Sequence, residues 1–235
     1  MNNVWILAVL ILISALPALG LFIWFRLSRF PLGLLWFLAF LLGGALSLLT
    51  AGLLQGLFPP LGDSGAGSVI LRLFTQIALT EEAARLVLLI PLLLIWFRFE
   101  KPPVEADAPA AASQGPVPRR ALAAAAGFAA GLGFAVIETA TYGAADLGIA
   151  LLRAFTAAPL HGACGCRVGM AVAGFRESPV RSVLRFLIAA ALHGMYDFMV
   201  LSPGMPIVFP ICLVAAALAS SIQQIRYRET MVTSS

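Results

Sequence analysis

The chain has 235 residues, of which 61% are hydrophobic and only 11% charged, with a formal net charge of +4. Soluble domains carry about 25% charged residues, so this composition excludes a water-soluble globular protein and points to a polytopic membrane protein. No hydrophilic block is long enough to fold alone, and residues 1–235 read as one integral membrane domain. The positive charge is no nucleic-acid signal; its meaning lies in where the arginines fall.

The first apolar run covers residues 4–25. Met1-Asn2-Asn3 lacks a basic stretch and the run is too long for a signal-peptide core, so it reads as an uncleaved anchor. The second span, Pro31 to Leu57, contains Gly43, Gly44, Ala45 and Ser47, small residues that let helices approach closely. Pro59 to Gly65 is turn-rich. Residues 67–98 form a third element, longer than the roughly 20 residues that cross a bilayer. It must tilt, break, or begin as a surface helix. Residues 100–118 are a Pro/Ala stretch without periodicity, expected to be a flexible cytoplasmic linker. Further spans are expected over Leu122–Tyr142, Leu147–Phe175, Val183–Leu201 and Ile207–Ile225.

The predicted fold is therefore an all-α transmembrane bundle of about seven spans. Eleven of the 15 basic residues fall in loops on one side of it. The positive-inside rule makes that side cytoplasmic, with the N-terminus outside and the C-terminus in the cytoplasm.

Thr80-Glu81-Glu82-Ala83-Ala84-Arg85 interrupts the third element with three charges. One such charge at the bilayer centre costs roughly 2.5–3.5 kcal/mol on insertion scales. Charges kept at that cost are paired, line a wet cavity, or do chemistry. Glu138, His161, His193 and Asp197 lie in later spans, and these are the only two histidines in the chain. At about 1.5 Å of rise per residue, all of these positions lie roughly 18–27 Å from the arginines that mark the cytoplasmic helix ends. They share one slab, in the outer third of a core about 30 Å thick.

Local spacing assigns relations. His193 and Asp197 are four apart and share a helix face. There a carboxylate fixes the imidazole tautomer, or both groups bind one metal. Glu81 and Arg85 have the same spacing, so Arg85 can neutralise one glutamate. Glu81 and Glu82 point about 100° apart and are expected to do different jobs. Arg153 and Arg167 can pair with buried carboxylates or carbonyls, and the sequence does not place them. Cys164, Cys166 and Cys212 read as small apolar residues rather than a disulfide framework.

The ordered set Glu81-Glu82-x-x-Arg85, Phe134-x-x-x-Glu138, His161 and His193-x-x-x-Asp197 resembles the PrsW family of bacterial intramembrane proteases. That family shares a superfamily with the CAAX prenyl proteases and a scaffold subunit of gamma-secretase. Glu138 and Asp197 close the second and third motifs in the PrsW-like manner, and Arg85 stands where those proteins often have Lys. The resemblance implies Glu81 as the base that activates water and Glu82 as its support. It implies His193 and Asp197 as oxyanion stabilisers, with Glu138 and His161 completing the site.

The expected function is an intramembrane endopeptidase of the bacterial cytoplasmic membrane. Its substrate would be a single-pass, anti-sigma-factor-like protein cut near the extracytoplasmic face. No cofactor is favoured, because the chain lacks a His-Glu-x-x-His helix. The alternative is Zn²⁺ held by Glu81, Glu138, His161 and His193. The other classes open to such a sequence are a non-catalytic membrane scaffold and a proton-coupled transporter.

Overall fold

The computed structural model describes residues 3–27, 33–59, 65–99, 118–143 and 147–226. The described residues are helical and contain no strand. Lipid offers no partner for a free N–H or C=O, so a spanning segment closes its hydrogen bonds within itself.

The helices are α1 (Asn3–Leu27), α2 (Gly33–Gly56), α3 (Ala66–Leu71), α4 (Leu79–Phe99), α5 (Arg119–Gly143), α6 (Leu147–Phe155), α7 (Ala157–Gly174), α8 (Pro179–Leu201) and α9 (Val208–Arg226). A π-helical segment, Arg72–Ala78, joins α3 to α4 without a break in the backbone. The long third element of the sequence is therefore one rod with a wider turn inside it. The expected linker lies, except for Pro118, outside the described residues.

Five segments are long and apolar enough to cross a membrane: Gly33–Gly56, Arg119–Tyr142, Leu147–Gly174, Pro179–Leu201 and Val208–Ile225. In α1 the apolar helix is shorter, Ala8–Trp24. The α4 helix carries Glu81, Glu82, Arg85 and Arg98, which removes it from a count based on apolarity. Leu147–Phe175, read from sequence as one span, turns a corner at Thr156, where α6 ends and α7 begins. There Thr156 Oγ1 lies 2.7 Å from both the Leu152 carbonyl and the Tyr196 hydroxyl.

The bundle is organised around α5. In its most apolar stretch 83% of residues are buried, against 28% in α2. Its sequence, rich in Ala and Gly, permits this. Lipid tails are as apolar as leucine, so helices in a membrane associate through close packing of small residues. Gly127 of α5 and Gly165 of α7 lie against each other's backbone carbonyls, and a Cβ on either would overlap that oxygen. Gly131 sits in the same way on the carbonyl of His161. This contact fixes how near the α7 histidine stands to α5. On the outside the pattern inverts: Leu27, Leu53 and Leu57 are exposed, as a lipid-facing surface requires.

Candidate active site

The site begins where the π-helical segment gives way to α4. Thr80 Oγ1 lies 2.7 Å from the Gln76 carbonyl and 2.9 Å from that of Ile77, closing the junction. A π-helical turn changes the direction in which the following side chains point, and such turns recur at functional positions. Glu81, Glu82 and Arg85 all point into the bundle and are buried.

Glu82 is the anchor. Its Oε2 forms an ion pair with Arg85 Nη1, and its Oε1 accepts from His193 Nδ1 at 3.0 Å. Arg85 also places Nη2 3.2 Å from His161 Nδ1 and lies 5.0 Å above the Phe134 ring. A guanidinium can only donate. His161 Nδ1 therefore accepts, and Nε2 carries the ring proton and donates to Glu138 Oε2 at 2.8 Å. The same carboxylate oxygen is 2.7 Å from Arg153 Nη2. Arg153 in turn sits 4.3 Å from the centre of the Tyr142 ring.

On the other side of the cluster, His193 Nε2 faces Glu81 Oε2 and Asp197 Oδ2, both at 3.5 Å. The rings of His161 and His193 meet edge to face, with centroids 4.6 Å apart. Gly194 makes room for this part of α8, since a Cβ there would come within 2.7 Å of the Phe74 ring.

The structure thus brings together Glu81, Glu82, Arg85, Glu138, His161, His193 and Asp197 from four helices. Arg85 takes Glu82 rather than Glu81 as its partner. Glu81 is left with two long contacts, Gln55 Nε2 to Oε1 and His193 Nε2 to Oε2, both at 3.5 Å, and its buried Oε2 has no hydrogen-bond partner among the described residues. The two glutamates differ in their contacts. Glu82 is fully committed to structure-like bonds, while Glu81 is buried and uncommitted.

Sequence reasoning left Arg153 without a partner and did not single out Gln55. Both were visible as polar side chains inside apolar runs. Arg167 is satisfied elsewhere, by the Ala163 carbonyl at 2.8 Å and Ser221 Oγ at 3.0 Å. The cysteines are free: Cys164 and Cys166 are buried, Cys212 is exposed, and none joins the histidine cluster.

Four carboxylates and two guanidiniums converge here, so with neutral imidazoles the cluster carries excess negative charge. Access is one-sided. The side chains of Asp197 and Glu138 are 19% and 13% exposed, while those of Glu82 and Arg85 are 0% exposed. The open side of the cluster is therefore that of Asp197 and Glu138.

The residues also fit a divalent cation. Glu81, His161 and His193 each offer one ligand atom, and these atoms lie within 4.8 Å of one another. Nitrogen and carboxylate donors suit Zn²⁺. The orphaned Glu81 Oε2 is a free ligand atom, and Glu82 holds Nδ1 of His193 so that Nε2 faces the cluster. Metal-bound imidazoles are oriented by a carboxylate in this way.

A helical membrane bundle with a buried carboxylate–histidine centre is the arrangement an intramembrane hydrolase needs. Residues 31–220 match the family described as PrsW family intramembrane metalloprotease, which is most of the chain, and the protein belongs to that family. No curated protein and no solved structure matches the chain.

Proposed function

We propose that this protein is an intramembrane endopeptidase that hydrolyses a peptide bond of a membrane-anchored, single-pass protein, with Glu81 as the general base. The observation that carries this reading is Glu81 itself. It is a buried carboxylate with an unpartnered oxygen, 3.5 Å from His193 Nε2 and next to the wet side of the cluster. A general base must reach the proton it removes, and its free oxygen is what a water would occupy.

The neighbouring residues divide the remaining work. Glu82 and Arg85 hold His193 and His161 in place. His193 keeps its Nδ1–H on Glu82 and, as the imidazolium, donates Nε2–H to the oxyanion that forms on the attacked carbonyl, with Asp197 beside that same nitrogen favouring the charged form. Glu138, held by Arg153 and His161, flanks the approach of water. Arg85 and Glu138 together occupy both nitrogens of His161, and this favours water activation by Glu81 without a metal.

A second reading rests on the ligand geometry and on the family's description as metalloproteases. Glu81, His161 and His193 would then hold the cation, which would supply Lewis acidity and lower the pKa of a bound water toward 7. In this reading Glu138 and Asp197 remain beside the ligands and orient the water and the substrate carbonyl.

The proposed setting is a bacterial cytoplasmic membrane, with seven crossings, the N-terminus outside and the C-terminus inside. The proposed substrate is anti-sigma-factor-like and cut near its extracytoplasmic face. Support comes from the arginine distribution and from the common depth of the site residues.

The test compares wild type with Glu81→Gln by proteomics of membrane proteins and by cleavage of the substrate so found. Glu81→Gln is expected to lower cleavage by about 10²–10⁴-fold, the range for general acid–base catalysis, while the protein elutes and melts like wild type. Cleavage at the wild-type rate by the folded variant would sink the mechanism. Metal content of the purified protein, with chelator titration of cleavage, separates the two readings. Stoichiometric metal whose removal abolishes cleavage would select the second.

A further inference from the structure

Two cavities meet at the arginine-rich end of the bundle, away from the histidine cluster. The first, of about 340 Å³, is an apolar cleft between α4, α7 and α8 lined by Leu86, Ile90, Leu94, Val172 and Phe186. The second, of about 580 Å³, adjoins it and is lined by Phe97 together with Arg98, Arg119 and Arg176. Leu94, Val172 and Arg176 line both, so the two are continuous.

The charges at this mouth are available. Arg98, Arg119 and Arg176 are exposed, and none has a carboxylate partner among the described residues. Glu177, the neighbouring acid, is taken by Arg120. Arg119 is held in position over the Phe97 ring, 5.4 Å from its centre, with Nη2 3.5 Å from the Phe97 carbonyl. Inside the cleft there is a second, independent feature. Ser182 is 2% exposed, lines the cavity, and its hydroxyl has no hydrogen-bond partner among the described residues.

We propose that this joined cleft is a binding site for one anionic phospholipid. Its phosphate sits among Arg98, Arg119 and Arg176, and an acyl chain lies along Leu94, Ile90 and Leu86. The Ser182 hydroxyl donates to an oxygen of the lipid's phosphate or ester region. Three considerations select this occupant. A transmembrane helix with its side chains is about 10–12 Å across, so a cavity of about 340 Å³ would hold less than about one turn of it, whereas a slender acyl chain can lie along it. Three exposed cations with no carboxylate partner among the described residues favour an anionic group. Arginines at the polar end of a membrane bundle stand where headgroups are, and each is worth about 1 kcal/mol toward an anionic lipid surface.

The site would couple lipid to the chemistry through α4. Leu86 lines the cleft and is the next residue after Arg85, so a chain seated there packs beside the residue that holds Glu82 and His161.

The experiment uses the full chain in detergent and native mass spectrometry. It is offered phosphatidylglycerol and phosphatidylcholine of identical acyl chains in equal amounts. The expected result is one retained phosphatidylglycerol per chain, preferred by about tenfold or more, as three cations imply. The variant carrying R98Q, R119Q and R176Q is expected to bring the two lipids near parity. These exposed side chains can be replaced without disturbing the core. Val172→Trp, which fills the cleft, is expected to lose retention of either lipid, and Ser182→Ala to weaken it. Glycerol phosphate at the same concentration should not displace the lipid. Equal retention of both lipids by wild type would overturn the proposal. So would an undiminished preference in the triple variant, or displacement by glycerol phosphate alone.

Discussion

Arg85 and Arg167 are both cations buried inside the bundle, and the protein answers them in opposite ways. Arg85 is met by an ionised partner, Glu82, and through it and His161 is wired to α5, α7 and α8. Arg167 is met by neutral groups: the Ala163 carbonyl and the hydroxyls of Ser220 and Ser221. The second arrangement ties α7 to α9 and gives both terminal nitrogens of the guanidinium a partner, as a structural role requires. The first leaves Glu81 Oε2 and Arg85 Nε buried without partners. A network kept incomplete in this way does not serve packing alone. In the proposed function these unpartnered groups are the ones that meet water and substrate.

That contrast can be broken most easily at Arg85. Arg85→Met leaves Glu82 buried without its cation, a kind of change that costs about 3–5 kcal/mol. A large fall in the apparent melting temperature in detergent and loss of cleavage are expected together. The double variant Glu82→Gln, Arg85→Met should regain much of the stability and none of the cleavage. A double variant that cleaves normally would show that the pair is only structural, and the contrast with Arg167 would vanish.

Arg153 gives a smaller and cleaner effect. Its ion pair with Glu138 is mostly buried, at 14% and 13% exposure, so Arg153→Gln is expected to lower the melting temperature, but by less than Arg85→Met because His161 still holds Glu138. It should lower cleavage on the order of tenfold, because Glu138 loses one of the two groups that hold it. Normal cleavage would reduce Arg153 to a packing residue.

Arg167→Met should do least. Ser221 Oγ already lies 2.9 Å from the Ala217 carbonyl, and Ser220 Oγ lies 3.4 Å from it. The hydroxyls can turn to their own helix when the guanidinium is gone, so no polar group is orphaned. A cost of about 1 kcal/mol is expected, with cleavage by the folded protein unchanged. A steep loss of cleavage would mean that α7 transmits strain from Arg167 to His161.

Much of the site was legible because an ionisable side chain in an apolar run is conspicuous and costly. Glu81, Glu82, Glu138, His161, His193 and Asp197 announced themselves, and helical rise placed them at one depth. The choice between Glu81 and Glu82 as partner of Arg85 was not legible. Spacings of three and four are both within reach on a helix. The tie is decided by His193 and His161, which arrive from α8 and α7 and leave Glu82 at the centre of the network. Arg153 was unplaceable for a similar reason. The turn at Thr156 separates α6 from α7 and sets which way Arg153 points.

The sequence by itself determined that the chain is a helical membrane protein and that its charged residues would have to meet one another. Both follow from the cost of polar groups in hydrocarbon, which is a local property of each segment. Only the tertiary structure decided which carboxylate stays free. That depends on glycine contacts such as Gly131 on the His161 carbonyl, which set the distance between α5 and α7. It depends as well on the π-helical turn that sets the direction of Glu81 and Glu82. The same packing gathers Arg98 of α4, Arg119 of α5 and Arg176 of the turn after α7 around one cleft. Contacts between distant segments carry no signature in the local pattern of apolar and polar residues, and so they had to be seen in the fold.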